Sequence, residues 1–236
     1  MRLNLLILAL TSACFSQTCP PPAALIDDFS EGQGIIMQLH HANEAPPGKT
    51  QTGQNMLGCE RFIVLSDTFN LFNGPAELDI TKDDKNRSAV QVTAGVRVGA
   101  TLVIAYGQHK PLHMTAAPGG SDRVRATIDS VSRPVTLIVE METPNIPNKP
   151  FERYMGVISL PASGLSDGPF CADIPYAAFR GTANGSARLS FEQGIDRIVV
   201  EVAPVGIVEA NSYAITKLEF ASNSPNNKCL VAPIPK

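Results

Sequence analysis

The chain contains no tryptophan, and its ten phenylalanines and four tyrosines make aromatic residues only 6% of 236. A platform for stacking sugar rings therefore falls to Tyr106, Tyr154, Tyr176 or Tyr213. Charge is also sparse at 17%, with 19 Lys and Arg against 22 Asp and Glu for a formal net charge of -3. Basic residues nowhere cluster or interleave with aromatics, which excludes nucleic acid from the expected partners. Apolar runs approaching the ~20 residues that a membrane-spanning helix needs are missing. The absence of a C-x-x-C pair argues against zinc. Internal repeats, low-complexity linkers and long amphipathic helical patterns are missing too, which leaves a single β-rich domain.

What is present begins with a leader. Arg2, the apolar stretch Leu5 to Leu10 and small residues from Thr11 to Ala13 and at Ser16 predict a secretory signal over residues 1–17. The alternative is a lipoprotein anchored at Cys14, although Thr11 stands where such sites carry Leu. Either route predicts an extracytoplasmic protein. The processed part, 18–236, has a core expected at about 25–222 and a C-terminal loop at 223–236. Its hydrophobic content of 44% is that of an ordinary globular protein.

An oxidising compartment makes the cysteines readable. Setting Cys14 aside, Cys19, Cys59, Cys171 and Cys229 can pair in three ways. Cys19 and Cys229 flank the first and last predicted strands, which lie side by side in a jelly roll. The expected pairs are Cys19 with Cys229 and Cys59 with Cys171.

Alternation of apolar residues dominates the pattern, most clearly from Val90 through Val92, Ala94, Val96, Val98, Ala100, Leu102 and Ile104 to Tyr106. At about 3.3 Å per residue this run is too long for one strand, so a break is expected near Gly95 or Gly99. The same period at Val124 to Ile128 and Val135 to Met141, around Ser132, Arg133 and Pro134, predicts a hairpin. Further strands are expected at Leu25–Phe29, Ile35–Leu39, Arg61–Leu65, Glu77–Ile80, Tyr154–Leu160, Cys171–Tyr176, Arg197–Val202 and Ala214–Phe220, with a short turn between Ser186 and Gly194.

The order of short motifs adds a family resemblance. Leu25, Ile26, Asp27, Asp28, Phe29 and Ser30 are followed by Gly53 to Arg61 and by Gly119 to Val124. Ile174 to Phe179, then Phe191 and Ile195 to Ile198, then Leu218 to Phe220 complete the series. Together they resemble secreted bacterial jelly-roll proteins with a galactose-binding-like sandwich, related to carbohydrate-binding modules and to the complex I intermediate-associated domain. The resemblance implies an all-β, two-sheet antiparallel jelly-roll sandwich over about 25–222. Cys59 departs from the pattern, which has a second glycine before Glu60 and Arg61. The closing Pro233, Ile234, Pro235 and Lys236 differ from the C-terminal sorting helix that many members carry.

Several residues are candidates for chemistry. Asp27, Asp28 and Glu219, on strands expected to be neighbours, are candidate oxygen ligands for a structural Ca²⁺, against ordinary solvated strand ends. Glu60 and Arg61 suit a buried ion pair that pins the loop from Lys49 to Gly58. His40, His41, His109 and His113 read as loop residues, with Pro111 preventing the helix that would align the last two. The Gly164 to Gly168 segment matches G-x-S-x-G, but a loop between strands is the wrong setting for that nucleophile. Asn86 and Asn184 fit the N-glycosylation pattern.

The first functional expectation is a non-catalytic binding or adhesion domain for a glycan or cell-surface ligand, by fold analogy. Contacts are expected from loops Ala42 to Asn55 and Gln108 to Ser121, with Tyr154, Tyr213, His40, His109 and Arg61 as candidate ligand-binding residues. One alternative is a polysaccharide-active lyase or hydrolase, which requires His40, His109, Glu60, Arg61 and Tyr154 to converge. Another is a structural matrix or surface protein.

Overall fold

A computed structural model describes residues 24–235 apart from 33, 41–47, 72, 83–86, 148–150, 164–167, 184, 186, 207–208 and 224–228. The leader, Cys14, Cys19, His41, most of the G-x-S-x-G segment and both glycosylation asparagines lie outside the described residues.

Strands account for nearly all regular structure. In chain order they are β1 (Leu25–Asp27), β2 (Gly34–Leu39), β3 (Lys49–Thr52), β4 (Glu60–Asn70), β5 (Ala76–Lys82), β6 (Ser88–Ala94), β7 (Val98–Tyr106) and β8 (Arg123–Val131). Then follow β9 (Val135–Glu142), β10 (Arg153–Leu160), β11 (Phe170–Pro175), β12 (Arg180–Gly181), β13 (Arg197–Pro204), β14 (Asn211–Ala221) and β15 (Leu230–Val231). The only helical pieces among the described residues are three single 3₁₀ turns.

The strands form two stacked sheets, an all-β jelly-roll sandwich. One sheet has eight strands in the order β15, β11, β8, β14, β6, β5, β2, with β1 also paired to β14. The other has seven, in the order β12, β10, β9, β13, β7, β4, β3. All pairings are antiparallel except β11 with β15. The first expected strand does lie beside β14, with Leu25 opposite Glu219.

Alternation explains the layering, because a period of two sends every second side chain into the space between the sheets. Leu102, Ile104 and Tyr106 on β7, Ile198, Val200 and Val202 on β13, and Leu137, Val139 and Met141 on β9 are buried in one core. Val124, Ala126 and Ile128 on β8 and Ile215, Leu218 and Phe220 on β14 meet them from the other sheet. The sheets approach closely at Gly156 on β10, where an added Cβ would stand 2.5 Å from Ile174 Cγ2 on β11.

The long alternating run breaks at Gly95 to Arg97, between β6 and β7, and the break carries the chain from one sheet to the other. Arg97 turns there with φ of 58°, and Gly95 N–H donates to Pro75 O. The segment from Val124 to Met141 corrects the sequence reading. It forms strands β8 and β9, but they do not pair as a hairpin. β8 lies between β11 and β14, and β9 between β10 and β13, so Ser132 to Pro134 is a crossover between sheets. Both strands have an apolar face, and that pattern fits two layers of a sandwich as well as two rungs of one sheet.

The disulfide pairing is also corrected. Cys171 is bonded to Cys229, with their Cα atoms 4.6 Å apart, so neither Cys19–Cys229 nor Cys59–Cys171 forms. Cys59 is itself disulfide-bonded. The reason is β15, which falls inside the expected C-terminal loop 223–236. It pairs Leu230 with Ala172 on β11 and carries Cys229 to that edge instead of to the β1 side.

Candidate functional site

Glu60 and Arg61 are consecutive on β4, so the pleat sends them to opposite faces and they do not pair with each other. Arg61 points into the core, where its Nη1 donates to both carboxylate oxygens of Asp27 at 2.9 Å. Tyr106 O–H donates to the same carboxylate at 2.9 Å and Phe29 N–H at 2.8 Å. Arg61 Nε donates to Gln51 Oε1 on β3 at 2.7 Å and its Nη2 to Glu31 O, so Arg61 pairs with Asp27 and these groups in place of the expected pair with Glu60. The Phe29 ring lies 5.4 Å from the guanidinium, and its backbone takes the left-handed φ of 55°. Burial raises the Asp27 carboxyl above its ordinary range against the pull of Arg61, and raises the Tyr106 phenol further still. The network ties the two sheets together through Asp27, Arg61 and Tyr106, all three buried.

The same network engages the first candidate calcium ligand. Asp28 Oδ1 accepts from Ser30 N–H, and Glu219 lies 2.6 Å from Lys217 Nζ. Among the described residues no three His, Cys, Asp or Glu side chains are grouped to hold a metal ion.

The two tyrosines named as candidate ligand-binding residues are inside. Tyr154 is 4% exposed and Tyr213 2%, and Tyr213 O–H donates across the core to Val202 O at 3.2 Å. Their parity gives the reason: Tyr154 shares a face with Ile158 and Leu160, and Tyr213 with Ile215. His40 is exposed just after β2. His109 is in the loop after β7, its Nδ1 2.8 Å from Glu60 Oε1 and its ring 6.0 Å edge-on from Phe62. The convergence that a catalytic reading requires does not occur, since Arg61 is sealed in the core and β10 and β4 are separated by β9, β13 and β7. Four strand steps amount to about 19 Å.

Sequence reasoning missed the outer face of the seven-stranded sheet. The register sets Met155, Glu140, Val199, Ala105 and Phe62 in one row across β10, β9, β13, β7 and β4. Val157, Ile138, Glu201, Val103 and Val64 form the next row. Ala105, Thr101 and Val199 point outward yet are buried, whereas Met155 and Val157 on β10 are 36% and 39% exposed. The middle of the face is thus a low apolar floor. A charged row borders it, with Glu142 3.1 Å from Arg153 and 3.2 Å from Arg197.

Glu140 and Glu201 stand in this floor as diagonal neighbours on β9 and β13. That relation puts their backbones about 7–8 Å apart, within side-chain reach. Among the described residues neither has an ion-pair or hydrogen-bond partner. Burial first, and the charge of Glu140 second, raise the Glu201 carboxyl above its ordinary range. The available signal was apolar residues at both parities of β9 and β13, as in Ile198 to Val202, since a simply solvated face would be polar at every second position.

A second concavity lies at one end of the eight-stranded sheet, with a volume of about 590 Å³. Ser121, Asp122 and Arg123 at the start of β8, Pro175 to Ala177 after β11, Asn223, Val231 and Ile234 line it. Of the expected contact loops, the one from Gln108 contributes Ser121 here and His109 at the sheet face. Part of the other, 42–47, lies outside the described residues.

No protein-family model matches the sequence, and no curated protein does. Among solved structures the chain is similar to the family 11 carbohydrate-binding module from Clostridium thermocellum in complex with a β-1,3-1,4-mixed-linked tetrasaccharide. The identity is 12%, with 79% of this chain and 98% of that one covered and a TM-score of 0.44. It is also similar to a non-crystalline-cellulose-specific carbohydrate-binding module, at 11% identity over 61% of this chain and 80% of that one, with a TM-score of 0.37. An exo-β-agarase matches at 11% identity over 69% of this chain and 24% of its own length, with a TM-score of 0.40.

Proposed function

We propose that the chain is a non-catalytic, extracytoplasmic binding domain that holds a neutral glycan chain on the outer face of its seven-stranded sheet. The observation that carries this reading is the pair Glu140 and Glu201, diagonal neighbours in an apolar floor, neither with an ion-pair partner among the described residues. Like charges within side-chain reach repel, as the raised Glu201 carboxyl reflects, and this points to a role outside folding. Carboxylates only accept hydrogen bonds, so the ligand must bring donors, and vicinal hydroxyls supply them in pairs. Ile138, Val157, Val199 and Met155 suit the apolar C–H faces of sugar rings. An anionic polysaccharide is disfavoured by repulsion from the same pair.

Calorimetric titration with neutral and acidic soluble polysaccharides tests this. Binding to a neutral polymer, weakened about tenfold or more by Glu140→Gln and by Glu201→Gln, is expected, a loss of about 1.4 kcal/mol or more. Binding unaffected by both substitutions, or preference for acidic polymers, would refute it.

A second reading has one observation in its favour: a raised Glu201 beside Glu140 is also the arrangement of an acid with its partner carboxylate in glycoside hydrolysis. Release of new reducing ends, abolished by either substitution, would transfer the assignment to a hydrolase.

A further inference from the structure

We infer that the cavity at the end of the eight-stranded sheet is a second ligand site, separate from the sheet face, which takes one neutral, hydroxyl-bearing sugar ring.

Its volume of about 590 Å³ falls in the range of roughly 300–1,000 Å³ usual for small-ligand sites. More telling is how its polar groups are held. Arg123 Nε and Nη2 donate to the two oxygens of Asp122 at 2.7 and 3.0 Å. Arg123 is fixed in turn by Asp173, to which its Nη1 donates at 3.0 Å, and Asp173 takes two further bonds from Arg125 at 2.7 and 2.9 Å. This chain leaves Asp122 half-exposed, immobilised and able to accept more hydrogen bonds. Beside Asp122 in the lining, the hydroxyls of Tyr176 and Ser121 are 2.8 Å apart, and only one of the two protons is used between them. The Tyr176 ring is braced edge-on by Phe191 at 5.3 Å and Phe179 at 6.3 Å, and burial pushes its phenol up to about 12. The Tyr176 hydroxyl therefore keeps its proton throughout the physiological range.

The remaining wall is apolar and tied in place. Val231 and Ile234 are both exposed, on a strap that the Cys171–Cys229 bond, the Ala232 N–H to Asp173 O bond of 2.8 Å and the Arg180 bond to Pro235 O hold against the sheet. A wall of hydrocarbon facing fixed acceptors and hydroxyls matches a ring with one C–H face and an edge of hydroxyls. Because Asp122 is neutralised by Arg123, neither an anion nor a cation gains a net Coulombic advantage there.

The test is a residue-resolved amide NMR titration of the whole protein with D-glucose, D-galactose, D-mannose and N-acetyl-D-glucosamine, each at millimolar concentration. At least one sugar is expected to shift the amides of Ser121, Tyr176, Asn223 and Val231. Asp122→Asn should weaken that binding about tenfold, and Tyr176→Phe, which keeps the ring packing, by a smaller factor. Releasing the strap with Cys171→Ser and Cys229→Ser should weaken it too. The inference is overturned if none of the sugars shifts these amides, or if shifts occur only around Glu140, Val199 and Met155. Equal affinity in Asp122→Asn, or the same shifts with sodium acetate alone, would overturn it as well. Since the sheet-face reading is checked at different residues with a polymer, either can fail alone.

Discussion

Asp27 and Arg61 come from opposite sheets and meet in the interior, with side chains no more than 1% exposed and both carboxylate oxygens 2.9 Å from one guanidinium nitrogen. Such a pair contributes little over an apolar replacement but leaves a costly orphan when one member goes. Arg61→Met should therefore destabilise the protein by about 3–5 kcal/mol. Adding Asp27→Leu to that background should recover part of the loss. Urea unfolding of the single and double variants measures both, and a loss from the double variant equal to the sum of the singles would count against the pairing.

Acid sensitivity is expected to come from elsewhere. Asp27 has a folded-state carboxyl raised by burial, so its contribution is present below its ordinary value and is lost as pH rises through the raised one. Asp122 has the opposite sign. The hydrogen bonds from Arg123 hold it below its ordinary value of 3.8, so its contribution is present above that value and lost as pH falls through the lowered one. Asp122→Asn should lower the urea midpoint near pH 6, and its effect should shrink as pH falls below 3.8, the two curves converging on acidification.

Glu201 supplies a third expectation. Its raised carboxyl means that the stability it contributes is present below its ordinary value of 4.5 and disappears as pH rises through the raised one. Glu140→Gln removes the neighbouring charge and should stabilise the protein at neutral pH by about 0.5 kcal/mol or less after solvent screening. The same substitution should weaken glycan binding. Gain in thermal stability with loss of ligand is the pattern of a residue retained for binding.

Gly156 is needed for the spacing between the sheets. Gly156→Ala would place a methyl group 2.5 Å from Ile174 Cγ2 and 3.0 Å from the Phe179 ring. Overpacking of this kind should cost about 1–3 kcal/mol, read as a lowered melting temperature. The double variant with Ile174→Val should lose less than Gly156→Ala alone.

The layered architecture was legible because period-two alternation is both the signal and the cause of a two-layer core. What it left open was partnership. The apolar faces of Val124 to Ile128 and Val135 to Met141 are compatible with one sheet or two, and only packing against β11 and β14, or β10 and β13, decides between them. The site was less legible. Tyr154 and Tyr213 were readable as buried from the parity of their neighbours, and Arg61 from its parity with Ile63 and Leu65. Glu140 and Glu201 are 61 positions apart in the chain, so their adjacency depends on register, which no local pattern encodes. The Cys171–Cys229 bond eluded the sequence because β15, only two residues long, has no room for alternation.

The outermost strands bear on what two copies of this protein can do to one another. β12 and β15 have two residues each and β3 has four, while the longer β2 has an irregular register with β5 between Ile35 and Met37. Unpaired N–H and C=O groups on long flat borders recruit foreign chains into continuous ribbons. Among the described residues three borders are too short to serve as a template and the fourth is bent out of register, so these borders should not seed strand-to-strand aggregation even when the protein is concentrated.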